Sequence, residues 1–275
     1  MPQKNDASTS IGSNLSPRRY GAVNWVGFRE LYLKEVRRFL KVFTQTIAAP
    51  VVTTLLFLAI FSLALGRAVT QVNGVDFPVF LAPGLITMAM VQNAFANTSS
   101  SLTISKVQGS IVDVLMPPIS PGEMVAAYAL GGVTRGLLVG AVCWTMMSIF
   151  VPLTVYSLAS ILFFAVMASL MLALMGMIGG IWAEKFDQMA AVTNFVITPF
   201  AFLSGTFYSI DRLPEPFYTL AHFNPFFFMI DGFRYGVIGR SDTDPIIGVF
   251  VLIGVNAVLW AVALRMVKTG YKLKA

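Results

Sequence analysis

The feature that most constrains this sequence is a series of long apolar blocks, each close to the length that crosses a bilayer as a helix. A hydrocarbon core of roughly 30 Å needs about 20 apolar residues in helical conformation. Of the 275 residues, 56% are hydrophobic and only 12% are charged, whereas soluble chains carry about 25% charged residues. The sequence therefore predicts an all-α membrane protein. Six segments qualify as transmembrane spans: 42–65, 80–97, 124–150, 158–182, 189–208 and 246–267.

Lysine and arginine predict the orientation of these spans, because short loops rich in basic residues stay in the cytoplasm. Basic residues cluster before the first span and after the last, while the loop between the first two spans has only Arg67 and Asp76 as charged residues. We therefore expect a multi-pass protein of the cell inner membrane with both termini in the cytoplasm. Residues 1–23 are expected to be a disordered tail without a cleavable signal peptide, and residues 269–275 a basic tail.

The charge and cysteine content exclude two other classes of protein. The net charge of +6 does not indicate nucleic-acid binding, because the basic residues lie at the two ends and beside the apolar blocks. The single cysteine, Cys143, lies inside an apolar run. It cannot form a disulfide framework or a cysteine-based metal site.

Residues 24–41 are predicted to form an amphipathic helix in front of the first span. Apolar residues, among them Trp25 and Phe28, recur at three- and four-residue intervals, and Asn24 is a suitable N-cap. The charged residues that fill most other positions include Glu35, Arg37 and Arg38. Such a helix lies along the cytoplasmic interface. It serves either as a basic anchor or as a mechanical elbow that links a cytoplasmic event to the first span.

A second amphipathic segment, 105–116, lies between the second and third spans. Its apolar residues fall at positions i, i+4, i+7 and i+8, on one face of a short helix that Pro117 and Pro118 end. A cytoplasmic helix with one apolar face either lies on lipid or docks in a groove of another protein. The residues of this face are Val107, Ile111, Val114 and Leu115.

Polar residues inside a span usually face the bundle interior, which makes them candidates for function. Gln92, Asn93 and Asn97 interrupt the second span, and Arg135 lies about three turns into the third. The arginine could form an ion pair, reach the inner headgroups or contact a substrate. Asn224 breaks an aromatic stretch before the last span. We regard these five residues as candidates for a translocation path or gate.

Eight short motifs follow one another along the chain in a characteristic order and spacing. They are Phe80-Leu-Ala-Pro-Gly-Leu85, Asn93-Ala-Phe-Ala-Asn97, Leu115-Met-Pro-Pro-Ile-Ser-Pro121, Gly131-Gly-Val-Thr-Arg-Gly136, Thr198-Pro199, Leu203-Ser-Gly-Thr-Phe-Tyr208, Asn224-Pro225 and Asp231-Gly-Phe-Arg-Tyr-Gly236. Together they resemble the membrane subunit of an ABC transporter of the ABC-2 (type V exporter) class. The resemblance is to the bacterial branch that includes the nodulation-factor exporter permease. It covers nearly the whole chain after the first 20 or so residues.

This resemblance implies that the chain is half of a transmembrane pore. Two copies would pair as a homodimer, and each would dock on a separate ABC ATP-binding subunit through the loop at 104–116, the coupling helix. Short extracytoplasmic helices within 209–245 would re-enter the outer leaflet before the last span. The 275 residues contain no G-x-x-x-x-G-K-[ST] sequence, so we expect no cofactor on this chain and ATP with Mg on the partner. The cargo stays open among glycolipids or polysaccharides, drugs and other lipid-like molecules.

Two functions of other classes fit the sequence less well. An ion-coupled secondary transporter usually keeps ionisable residues at mid-membrane, but no acidic residue lies in the middle of a predicted span. An intramembrane serine protease needs a base positioned beside its serine. Here Ser204-Gly205 lacks the first glycine of a G-x-S-G turn, and the only histidine, His222, lies in a loop. The sequence favours an external energy source.

Overall fold

The computed structural model describes residues 23–64, 66, 69–210 and 213–273, so the predicted disordered tail lies almost wholly outside the described residues. The described chain is helical apart from its loops and one two-stranded antiparallel hairpin. Its elements are α1 (Trp25–Leu40), a first π-helical segment (Thr44–Ala48), α2 (Ala49–Ala64), β1 (Gln71–Val72), β2 (Val75–Asp76), α3 (Phe77–Val107), α4 (Ile111–Leu115), α5 (Pro121–Met147), α6 (Leu158–Trp182), α7 (Phe186–Val192), a second π-helical segment (Thr193–Ile197), α8 (Thr198–Phe202), α9 (Phe217–Phe223), α10 (Pro225–Ile238) and α11 (Pro245–Thr269).

Five helices of the described ranges are long and apolar enough to cross a membrane, in agreement with an all-α membrane protein. They are Thr44–Ala64, α3, α5, α6 and α11. The fifth predicted span, 189–208, is instead a helical stretch of three contiguous segments, α7, the second π-helical segment and α8, of 7, 5 and 5 residues. It ends at Phe202, short of the predicted boundary. The number of six spans therefore stays a prediction.

The helix α3 lies at the centre of the bundle. It packs mainly against α6 and α5, and also against α10 and α2. Most of its residues are buried, small polar ones as well as apolar ones. By contrast, α2 and α11 leave large apolar side chains such as Leu63 and Phe250 exposed, as expected of helices that face lipid. The helix α3 extends beyond the predicted second span, 80–97, and most of the polar residues that follow this span are buried against neighbouring helices.

Small residues let α3, α5 and α6 approach one another closely. A Cβ atom at Gly132 of α5 would lie 2.7 Å from the Cβ atom of Ala173 in α6, and one at Gly176 would lie 2.5 Å from the carbonyl oxygen of Phe95 in α3. The hydroxyl of Thr98 donates across the α3–α6 contact to the carbonyl oxygen of Ala173 at 2.7 Å. Backbone approach and interhelical hydrogen bonds are the main sources of helix association in membranes.

Hydrogen bonds between loops define the two ends of the bundle. At the end that holds α1, the backbone N–H of Asn24 donates to the Glu123 carboxylate at 2.7 Å. At the opposite end, the Asp242 carboxylate accepts from the side chain of Asn73 at 3.2 Å and from the backbone N–H of Ile210 at 3.1 Å. We call these the α1 end and the opposite end.

The helical stretch from α7 to α8 connects the two ends. Lys106, at the end of α3, donates to the carbonyl oxygens of Ile181 and Ala183, both at 2.6 Å, so α6 finishes at the α1 end. Ile210 follows α8 and lies at the opposite end, where it contacts Asp242. The chain therefore passes from one end of the bundle to the other between these points.

Candidate functional site

The site begins with a cavity of about 820 Å³ that opens beside α3. Its lining follows α3 from Leu85 to Ile104, about 28 Å of helix at 1.5 Å per residue. The other walls come from the end of α1, the start of α2, Arg135 of α5 and the α8 segment. A neighbouring cavity of about 510 Å³ shares Gln92 and Asn93 and extends towards α7. Three residues predicted for a path or gate, Gln92, Asn93 and Arg135, therefore line one cavity.

Arg135 is held at the wall of this cavity by Asn93. Its Nη2 atom donates to the side-chain oxygen of Asn93 at 3.0 Å. The amide nitrogen of Asn93 donates in turn to the carbonyl oxygen of Ala89 at 2.9 Å, which orients the amide oxygen towards the arginine. Arg135 lies near the middle of α5. A charged group at such a depth costs a few kcal/mol unless it is compensated.

Arg38 of α1 joins the same cavity through a network with α3. Its Nη2 atom donates to the backbone oxygen of Asn97 at 2.6 Å and to the side-chain oxygen of Asn97 at 3.0 Å. The Glu35 carboxylate accepts from the same guanidinium at 3.2 Å and from the hydroxyl of Ser101 at 2.6 Å. Asn97 itself does not line the cavity but holds Arg38, which does.

The prediction that Glu35 belongs to the polar face of α1 is wrong. Glu35 is 0% exposed and lies between Leu31 and Phe39 on the buried stripe of the helix. A carboxylate tolerates such burial because Arg38 and Ser101 satisfy its oxygens. The polar residues that make this possible lie on α3, far away in the sequence.

The four residues singled out on α1 have different surroundings. Trp25 is largely exposed and meets Phe28 edge to face, with ring centroids 6.0 Å apart. Phe28 is half-buried and packs on the core below α1. Arg37 is exposed, whereas the neighbouring Arg38 points inward to Asn97. Contact of α1 with lipid stays a prediction.

The segment predicted as one helix over 105–116 is broken in the structure. The helix α3 continues to Val107, and α4 begins only at Ile111, because Gly109 turns the chain with a φ of +72°. A left-handed conformation of this kind favours glycine and ends a helix. The sequence contained this signal, since Gly109 stands in the middle of the segment.

This break separates the four predicted coupling residues into two pairs. Ile111 and Val114 are buried and pack on the core of the chain itself. Val107 and Leu115 are exposed, together with two residues that the sequence pattern did not single out. These are Val112, which is 53% exposed, and Met116, which is 77% exposed. A role of this segment in coupling stays a prediction.

The connector between α4 and α5 is attached to the beginning of α1. The side chain of Asn24 accepts from the N–H of Gly27 at 3.0 Å, which confirms it as the N-cap of α1. The same side chain donates to the carbonyl oxygen of Pro118 at 3.0 Å. Ser120 and Glu123 form a capping box at the start of α5, and Glu123 also accepts from the Asn24 N–H.

The carboxyl-terminal residues return to the α1 end. Lys272 pairs with Glu184 at 2.7 Å, and its ammonium lies 5.7 Å from the ring centroid of Trp182. The hydrogen bond from Lys272 lowers the pKa of the Glu184 carboxyl below its ordinary value. The same bond raises the pKa of the Lys272 ammonium. Both side chains are partly exposed, so this ion pair adds little stability.

Asn224 lies at the opposite end, outside the lining of the cavity. Its side-chain oxygen accepts from the N–H of Phe226 at 3.0 Å and caps α10, while its amide nitrogen donates to the carbonyl oxygen of Phe200 at 2.7 Å. Asn224 therefore ties α10 to α8. The helices α9 and α10 occupy the region predicted to re-enter the membrane; their depth in a bilayer stays a prediction.

A buried ion pair adds further contacts between elements at the opposite end. Arg234 donates to the carbonyl oxygen of Gly205 at 2.7 Å and lies 3.9 Å over the ring of Phe80. Asp231, 4.0 Å from Arg234, accepts from the N–H groups of Asp242 and Thr243 at 2.8 and 3.0 Å. The loops after α8 and α10 are thereby fixed to α3.

Two π-helical segments border the cavities, and sequence reasoning missed both. Each ends two residues before a proline, Pro50 in the first case and Pro199 in the second. Proline has no N–H group and its ring crowds the carbonyl four residues earlier, and a π turn relieves this conflict; such turns are frequent at functional sites. The available signal was a threonine six residues before each proline, in TQTIAAP and TNFVITP.

Ser204 and His222, the pair considered for a protease, have separate hydrogen-bond partners. The Ser204 hydroxyl hydrogen-bonds to the hydroxyl of Thr206 at 2.9 Å and to the carbonyl oxygen of Ala201. His222 lies in α9 and not in a loop as the sequence predicts, and its Nδ1 atom lies 3.0 Å from the carbonyl oxygen of Tyr218. Ser204 is therefore part of the packing between α8 and the loop that follows it.

Comparisons with known proteins bear on this architecture. The model of the family described as ABC-2 type transporter matches residues 27–238. The inner membrane transport permease YadH of Escherichia coli (strain K12) is 34% identical over 251 residues, which cover 91% of this chain and 98% of YadH. Nodulation protein J of Rhizobium leguminosarum bv. viciae is 29% identical over 241 residues, 86% of this chain and 88% of that protein.

Proposed function

The chain belongs to the ABC-2 type transporter family and is a transport permease of the inner membrane, and on this premise we propose that it is the membrane half of an ATP-driven exporter. In this proposal two copies pair to form the translocation path. Each copy docks on a separate ABC ATP-binding subunit that binds and hydrolyses ATP. The α1 end faces the cytoplasm, and the helical stretch from α7 to α8 is a further crossing, the fifth along the chain.

The distribution of basic residues supports this orientation. Most of the exposed lysines and arginines of the described residues lie at the α1 end, whereas at the opposite end Arg240 is exposed and Arg234 is buried. Basic loops stay in the cytoplasm. The exposed basic residues of the α1 end include Arg37, Lys185, Arg265, Lys268 and Lys272.

The observation that carries the proposal is an exposed apolar tip at the α1 end. Val107, Val112, Leu115 and Met116 project there, while Ile111 and Val114 anchor the same segment to the core. Large apolar side chains displayed on the aqueous side of a membrane protein mark a site of protein contact. A short helix of this kind fits into a groove of a partner.

Contacts lead from this tip to the cavity. The connector after α4 is bonded to Asn24 through Pro118, Asn24 caps α1, and Arg38 at the other end of α1 is bonded to Asn97 of α3. A displacement of the tip by the ATP-binding subunit would therefore act on the wall of the cavity. This is a spatial path, and its coupling has to be measured by mutation.

A matched pair of substitutions tests the docking surface. Val112 at the tip and Val155 in the loop between α5 and α6 are similarly exposed, 53% and 56%, but the loop lies at the opposite end. Val112→Asp is expected to weaken copurification of the ATP-binding subunit about tenfold or more, whereas Val155→Asp leaves it unchanged. Equal retention of the ATP-binding subunit by both variants, measured by quantitative pull-down, would overturn the docking surface.

A further inference from the structure

We propose that the cavity beside α3 binds the phosphate headgroup of an amphiphilic cargo through Arg38 and Arg135. This inference rests on the proposed export function and adds to it a class of substrate: a lipid-like molecule that carries a phosphate. Three properties of the cavity support it: the charge of the lining, the free donors on the arginines and the division into a polar and an apolar part.

The lining has an excess of positive charge. Arg38 and Arg135 both line the cavity, and its described lining contains no carboxylate. Glu35 offsets the charge of Arg38 from behind the wall. Arg135 has only the neutral amide of Asn93 as its hydrogen-bond partner among the described residues. Within the described part of the chain, this positive charge near the middle of a spanning helix has no counter-ion, which is costly unless a ligand supplies one.

A second copy of the chain would not supply this counter-ion. Within the helices Thr44–Ala64, α3, α5, α6, α11 and the stretch from α7 to α8, the described acidic residues are Glu123 and Asp187. Both stand in the first turn of a helix that starts at the α1 end. Among the described residues of these helices, a second copy therefore brings no carboxylate to the level of Arg135.

The residues that hold the two guanidinium groups lie close together on α3. Asn93 and Asn97, which hold Arg135 and Arg38, are one turn apart on α3, and side chains at this spacing are neighbours on a helix surface. The Nε atoms of both arginines are buried and have no partner within the described part of the chain, so neither guanidinium has all its donors satisfied. The planar guanidinium fork matches the oxygens of a phosphate, which makes arginine the preferred residue for such recognition.

The rest of the cavity suits an attached hydrocarbon chain. Beyond Asn93, towards the opposite end, the wall is apolar and includes Phe57, Leu85, Met88 and Phe202. The volume of about 820 Å³ is within the range of sites for drug-sized ligands and far exceeds that of a phosphate alone. A headgroup at the arginines thus leaves an apolar space for the chain that carries it.

Equilibrium binding to the full-length chain in phosphatidylcholine nanodiscs tests the inference. The probes are farnesyl phosphate, farnesol and inorganic phosphate, and the readout is the Kd of each. We expect farnesyl phosphate to bind at least about tenfold more tightly than either of the others, because both the charge and the chain contribute. If farnesol binds with the same Kd as farnesyl phosphate, the anion site is overturned. If inorganic phosphate binds with the same Kd as farnesyl phosphate, the requirement for a hydrocarbon chain is overturned.

Two variants and one control assign the binding to these residues. Arg135→Gln is expected to weaken farnesyl phosphate binding about tenfold or more. Asn93→Asp places a carboxylate beside an unaltered Arg135, keeps the shape of the side chain and is expected to weaken binding to a similar extent. Arg265→Gln, which removes an exposed charge outside the cavity, leaves the Kd unchanged. An unchanged Kd in folded Asn93→Asp overturns the site even where Arg135→Gln does not fold.

These measurements are independent of the ATP-binding subunit, because they use the permease alone. Failure of the proposed function would appear as a missing ATP-binding partner with farnesyl phosphate binding intact. Failure of this inference would appear as normal docking of the partner with no selectivity for the phosphate.

Discussion

Nη2 of Arg38 lies 2.6 Å from the backbone oxygen of Asn97 and 3.0 Å from its side-chain oxygen, which fixes α1 to the helix at the centre of the bundle. The same guanidinium pairs with the fully buried Glu35. A helix that the sequence assigns to the membrane surface is thereby part of the wall of the cavity. Its mechanical role depends on this attachment.

Removal of Arg38 should destabilise the protein strongly. In Arg38→Ala the Glu35 carboxylate stays buried without its cation, and breaking a buried pair in this way costs about 3 kcal/mol. Arg37→Ala, one residue away on the exposed face, should change the free energy of unfolding by less than about 0.5 kcal/mol. Denaturant unfolding of the purified variants in detergent measures both values.

The same pair offers a rescue. Glu35→Gln combined with Arg38→Ala removes the uncompensated charge, so the double variant should be more stable than Arg38→Ala alone. A double variant as unstable as the single one would show that Arg38 acts through packing and not through its charge.

Asn24 should couple the α4–α5 connector to α1. Asn24→Ala removes the cap of α1 and the bond to Pro118, with a loss of about 1 kcal/mol in stability. Asn24→Ser keeps the cap but cannot reach Pro118 with an amide donor. We expect both variants to bind the ATP-binding subunit normally and to lose transport-linked ATP hydrolysis. Normal coupling in Asn24→Ser would exclude the Pro118 bond from transmission.

Close packing of α6 on α3 should make Gly176 intolerant of any side chain. In Gly176→Ala the new Cβ atom would meet the carbonyl oxygen of Phe95 at 2.5 Å, and overpacking of this kind costs about 1–3 kcal/mol. At Gly254 of α11, an added Cβ atom would have nothing within 4 Å among the described residues. Gly254→Ala should therefore leave stability equal or raise it, because alanine favours the helix. Thermal unfolding compares the two, and equal melting temperatures would contradict the packing.

Much of the fold follows from hydropathy, because α2, α5, α6 and α11 are long apolar helices. The ends of α3 do not follow from hydropathy. Its polar residues are enclosed by other helices, and hydropathy does not show whether a polar residue is surrounded by protein or by water. The inward position of Glu35 depends on Ser101 and Asn97. Such distant partners are not visible in a local pattern.

The candidate site was predictable only in part. Gln92, Asn93 and Arg135 stood out as polar residues in apolar blocks, and the structure brings them to one cavity. Arg38 joins them although its helix pattern indicated a surface position. Asn224 was singled out by the same reasoning, but it caps α10 outside the lining. A polar residue in an apolar block indicates a buried partner, and the pattern alone does not say which one.

The central claim is that ATP supplies the energy for transport. Transport and ATP hydrolysis by the reconstituted complex test this claim most directly. The chain is purified with its ATP-binding subunit, placed in liposomes whose proton and sodium gradients are collapsed, and ATP-driven movement of farnesyl phosphate across the bilayer is measured beside phosphate release. We predict transport with ATP and no gradient, and loss of both signals in Val112→Asp but not in Val155→Asp. In parallel liposomes that carry an imposed proton or sodium gradient and no ATP, transport would contradict the account.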